Sequence, residues 1–145
     1  MRTVAQVLAQ CDAYLGKPVR VAGYLVDCGG YECHLFPNAT AAKAMGEAWK
    51  RRETIMRQVT RGAKLDRVEL NNADERVDAL WPIGIGGAPG FDLKAAPLQQ
   101  SYVVISGRMD DGSCDGRGGT DRSPGIHPTD IRAWTTAEGA PANIN

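Results

Sequence analysis

A surplus of charge of either sign is missing from this chain, because 17 Lys and Arg are matched by 17 Asp and Glu over 145 residues. Whole-molecule attraction to nucleic acid, membrane or an acidic substrate is thereby excluded, and any such affinity must come from a local patch. Long apolar runs are missing too: no window nears the ~18 consecutive apolar residues of a transmembrane helix. Gln6, Gln10 and Asp12 interrupt the opening before a signal-peptide core develops, and Leu8-Ala9-Gln10-Cys11 is a poor lipoprotein box. These absences point to a cytoplasmic protein with no membrane partner. Cysteine is sparse as well. Cys11, Cys28, Cys33 and Cys114 are too few and too scattered for a disulfide framework in a chain this long, so reduced thiols are expected.

Parts for catalysis are also lacking. No Gly-Lys-Ser/Thr phosphate loop exists, and in Gly84-Ile85-Gly86-Gly87-Ala88-Pro89 a proline stands where the dinucleotide fingerprint needs its last glycine. There is no Gly-x-Ser-x-Gly elbow, no paired-carboxylate motif and only two histidines. A non-enzymatic protein without a cofactor is expected.

What is present has the periodicity of a mixed fold. Thr3-Val4-Ala5-Gln6 opens like a capping box, and Val4, Val7, Leu8, Cys11 and Leu15 recur at helical spacing until Gly16 and Pro18 end it. Residues 18–27 form a long strand, apolar on both faces, with Gly23 placed for a bulge or bend. Cys28-Gly29-Gly30 turns the chain into a returning strand, Tyr31 to Phe36. From about Ala39 to Lys64 the period is helical: Ala41, Met45, Ala48, Trp49, Ile55, Met56 and Val59 share one arc, and Lys43, Lys50, Arg57 and Arg61 lie nearly opposite. Val68-Glu69-Leu70 reads as a short strand, Asn71-Asn72 as a turn and residues 81–90 as a glycine-proline loop. Ser101 to Met109 is the clearest strand, followed by a polar loop to Gly125, a last strand around Asp130 to Trp134 and a flexible tail from 135. One α+β domain over residues 1–134, mostly β, is the expected organisation. Its core should gather Val19, Val21, Leu25, Leu35, Val103, Ile105, Ile131 and Trp49.

Tyr14-Leu15-Gly16-Lys17-Pro18-Val19-Arg20-Val21-Ala22-Gly23-Tyr24-Leu25 resembles the opening of many bacterial OB-fold domains. In those domains a short helix leads through Gly-Lys into a Val-x-Val-x-Gly strand. Val103 to Met109 is similar to a later strand of such a barrel. The resemblance implies a small β-barrel with a short N-terminal helix, carrying here one long amphipathic helix after two strands instead of the expected three. It also implies binding more often than catalysis.

Two groups of residues fit a ligand. Between residues 43 and 67, eight basic side chains outnumber three acidic ones, and this local excess can face a polyanion. Glu47–Arg51 and Glu53–Arg57 at i,i+4 would lace the same face. Arg52 projects into the apolar arc, either snorkelling past Trp49 and Met56 or standing as a buried cation. On the first hairpin, Tyr24, Tyr31, His34 and Phe36 occupy the region where OB barrels stack bases, although aromatics make up only 6% of the chain. Metal is a weaker reading. Cys28, Cys33 and Cys114 with His34 or His127 could make a zinc site on paper, Cys28 and Cys33 could pair as a disulfide in an oxidising compartment, and Asp111-x-Ser113-x-Asp115-Gly116 begins like a calcium loop but has Arg122 at the twelfth place. The expected function is a binding module for single-stranded nucleic acid or another polyanion. The alternatives are a module for an acidic protein partner and a structural protein stabilised by metal or disulfide.

Overall fold

Alternating apolar residues make the strands of one sheet. A computed structural model describes residues 1–110, 114, 122 and 125–135. They fall into two compact units, one of Met1–Ala39 with the described residues from Pro82 on, and one of Thr40–Trp81.

The first unit is α+β and holds a six-stranded, largely antiparallel sheet. Its elements are β1 (Arg2–Thr3), α1 (Val4–Ala9), α2 (Cys11–Tyr14), β2 (Pro18–Gly29), β3 (Glu32–Phe36), β4 (Ile83–Gly84), α5 (Phe91–Ala95), β5 (Ser101–Met109) and β6 (Ile126–Ala133). The strand order is β4-β3-β2-β5-β6, with β1 parallel to β2 off that path. An isolated parallel bridge also joins Ile85, just past β4, to Ile126 at the start of β6.

The capping box forms as expected: the Thr3 hydroxyl accepts from Gln6 N–H, and the Gln6 side chain accepts from Thr3 N–H. Because side chains alternate along a strand, Val19, Val21 and Leu25 of β2 turn to one face with Leu35, Val103, Ile105 and Ile131, and all seven share one core cluster. Burying each such side chain stabilises the fold by about 1.5–3 kcal/mol. Trp49 is not in that cluster and is 37% exposed. The other face of the sheet packs Ala22 and Val104 with Tyr102 and Trp134.

Gly23 serves close packing, not a bulge. A Cβ there would lie 2.6 Å from the Phe36 carbonyl oxygen and 2.7 Å from Leu35 Cγ. The register shift in β2 falls instead between Leu25 and Cys28. Tyr31 lies in the turn, one residue before β3 begins.

The thiols correct the sequence reading. Cys28 and Cys33 are register partners across the hairpin and form a disulfide, and Cys11 pairs with Cys114 over a sequence separation of 103. The glycine turn places the first pair opposite each other. The fold brings α2 beside the loop after β5 for the second.

The second unit is a pair of helices, α3 (Ala39–Thr60) and α4 (Arg67–Ala79). Repeated alanines favour α3, and Gly62, with φ 100°, turns the chain out after it. The strand and turn expected at 68–72 are replaced by α4. Asp66 caps that helix by accepting from the N–H groups of Val68 and Glu69, a local gain of about 1 kcal/mol. Met45, Ala48 and Ile55 of α3 and Ala73 and Val77 of α4 are buried. Trp49 meets Trp81 edge to face with ring centres 6.3 Å apart. Among the described residues, no helix is long and apolar enough to cross a membrane. The polar loop after Asp110 lies outside the described residues apart from Cys114, Arg122 and Gly125, as does the tail beyond Thr135.

Candidate functional site

Helical geometry sorts the cations of α3 and of the turn that follows it, where Arg61 lies, into two sets. Lys43, Lys50, Arg57 and Arg61 are exposed and make no ion pair among the described residues. Steps of seven residues separate Lys43, Lys50 and Arg57, or ~10 Å along the axis. That spacing is close to the ~8–10 Å screening length of ordinary buffers, so their fields add at low salt and separate at high salt. The second set is neutralised. Arg51 pairs with Glu69 of α4, where the sequence suggested Glu47. Arg52 Nε donates to Asp74 Oδ1 at 2.6 Å, and its guanidinium lies 5.8 Å from the Trp49 ring centre. Arg52 is thus a half-buried tie between the two helices and not an unpaired buried cation.

The hairpin aromatics belong to the other unit and are not one platform. Tyr24 and Phe36 are register partners on β2 and β3, and Tyr24 packs edge to face on Tyr102 with centres 5.1 Å apart. Phe36 is buried, so its ring faces offer no stacking surface. Tyr31 stands apart in the turn and is 79% exposed. His34 is half-buried on β3, where burial foremost, with Arg122 adding, lowers its pKa below the ordinary 6.5 against the opposing pull of Glu32.

Arg122 organises this end of the sheet. Its guanidinium makes a two-pronged pair with Asp92, at 2.7 and 3.1 Å, and donates to the carbonyl oxygens of Ile85 at 3.0 Å and Gly86 and Gly30 at 3.4 Å. The nitrogen that meets Gly86, Nη2, also lies 3.7 Å from Cys28 Sγ. The hydrogen bond from Arg122 is the main reason the Asp92 carboxyl sits below its usual range. One side chain therefore ties the hairpin turn, the chain after β4 and α5 together. The sequence flagged Arg122 only as the residue that spoils a calcium loop, and its partner Asp92 carried no signal at all.

The zinc arrangement has no thiolates to use, since all four sulfurs are in disulfides. Among the described residues no three His, Cys, Asp or Glu side chains converge as metal ligands. Comparison with protein-family models, with curated proteins and with solved structures returned no match to this chain.

Proposed function

We propose that this protein is a non-enzymatic OB-like binding module that recruits a polyanion on the exposed cations of α3 and its C-terminal turn, with single-stranded nucleic acid as the leading ligand. The carrying observation is the sorting of charges: α4 carboxylates engage Arg51 and Arg52, while Lys43, Lys50, Arg57 and Arg61 keep their charge in solvent. An OB-like barrel is supported by the five-strand path whose ends are linked at Ile85 and Ile126. A second support is α5, which follows the third strand of the series β2, β3, β4, where such barrels place their connecting helix. Exposed Tyr31 remains a stacking candidate. Titration of labelled single- and double-stranded oligonucleotides by fluorescence anisotropy tests the reading, which requires saturable binding that weakens with salt.

A specific observation favours a second reading, an acidic protein partner on the same stripe. Two disulfides are uncommon in reducing compartments. They support an oxidising location over the cytoplasmic one expected from the sequence, and acidic protein surfaces are met there more often than free single strands.

A further inference from the structure

Away from the α3 stripe, the first unit carries a groove of about 500 Å³ between the N-terminal residues, α2 and the start of β2. Its lining includes Arg2, Gln10, Tyr14, Lys17 and Arg20, and no carboxylate is among the lining residues. Three cationic side chains around one concavity, with no carboxylate among the described residues that line it, make a local positive field in a chain of zero net charge. The geometry adds direction to the field. The Arg2 guanidinium lies over the Tyr14 ring, 5.8 Å from its centre, so the planar fork is set against an aromatic face, and no described residue accepts a hydrogen bond from its N–H groups, which suit a bidentate acceptor. Tyr14 is itself anchored, because it packs against the core cluster and its carbonyl accepts from Lys17 N–H at 2.9 Å. Gly16, with φ 73°, makes the tight reversal that brings Lys17 back beside Tyr14.

We infer that this groove is a second anion site, selective for a small multivalent oxyanion such as a phosphate or sulfate ester. Arg2 supplies the two-pronged contact, and Lys17 and Arg20 supply charge around it. The volume lies within the ~300–1,000 Å³ usual for small-molecule sites and is too small for a folded partner. The inference does not depend on the α3 reading, since the two sites share no residue.

Titration with inorganic pyrophosphate and, separately, with inorganic sulfate, followed by amide NMR shifts of the intact protein, tests it and separates recognition of phosphate from recognition of sulfate. The expected result is saturable shifts at millimolar pyrophosphate centred on Tyr14, Lys17 and Arg20. Arg2→Gln should weaken binding about tenfold or more, as expected for losing charge-assisted hydrogen bonds. Arg2→Lys should restore only part of it, because an ammonium keeps the charge without the fork. All of these side chains are exposed or half-exposed, so the variants should melt with the parent. Lys50→Glu with Arg57→Glu should leave pyrophosphate affinity unchanged. Saturable shifts confined to α3, no saturation, or affinity indifferent to Arg2→Gln in a folded variant would each overturn the inference.

Discussion

Breaking the Cys11–Cys114 link should destabilise the protein far more than breaking Cys28–Cys33. A crosslink acts largely by restricting the unfolded chain, and the restriction grows with the loop it closes. The two links span sequence separations of 103 and 5. The chain-entropy relation then gives ~4.7 kcal/mol for the long loop and ~2.2 kcal/mol for the short one. Cys28, Cys33 and Cys114 are buried and Cys11 is partly buried against the same core, so the Cys28–Cys33 pair loses slightly more packing, which works against the expected order, and a difference approaching ~2.5 kcal/mol reports the loop effect. Both links lie within the first unit, so one transition reports on each. Equilibrium urea unfolding followed by circular dichroism should place the midpoint of Cys11→Ala/Cys114→Ala ~1–2.5 M below that of Cys28→Ala/Cys33→Ala, given slopes of ~1–3 kcal/mol/M. Equal midpoints, or the reverse order, would refute the loop-entropy reasoning. Four titratable thiols in protein never exposed to reductant would refute the disulfides themselves.

Other consequences are sharp enough to measure. Ile105→Ala, at a fully buried position in the core cluster, should cost ~2–5 kcal/mol and lower Tm by several degrees, whereas Ser106→Ala on the other face should change little; a calorimetric scan decides. Arg122→Gln should cost on the order of 1–3 kcal/mol in urea titration, since it strands the Ile85, Gly86 and Gly30 carbonyls. The part due to Asp92, whose pKa is depressed, should be present above about pH 4 and vanish as pH falls through the lower folded value. His34 has the opposite origin: its folded pKa lies below 6.5, so the unfolded chain binds more protons and stability should rise with pH up to about 6.5. A His34→Asn variant should lose that slope in Tm against pH.

Legibility in the sequence followed how local each cause was. β5 and α3 could be read because Tyr102 to Ile105 and the alanine-rich stretch carry their own periodicity. α4 could have been read from the Asp66 cap, Glu69 three residues later and the Ala73–Val77 step. Adjacent asparagines drew attention to a turn instead. Cys28 and Cys33 flank a glycine turn that makes them neighbours, so their link left a local signal. The partnership of Cys11 with Cys114 left none, because only the finished sheet brings them together. The same holds for Arg122 with Asp92 and for the groove around Tyr14. The cationic stripe was legible as helical spacing, but which cations α4 neutralises was not, since α4 itself went unread.

The polyanion reading stands or falls on anisotropy titrations of the parent and of Lys50→Glu/Arg57→Glu across ~50–200 mM salt. Saturable binding to single-stranded oligonucleotides is expected, with log affinity falling by ~0.7 per phosphate neutralised for each decade of salt. The double variant should lose affinity for all sequences alike and show a shallower slope, because contacts to phosphate carry no base information. Absence of saturable binding at micromolar protein, or binding indifferent to the two charge reversals, would contradict it.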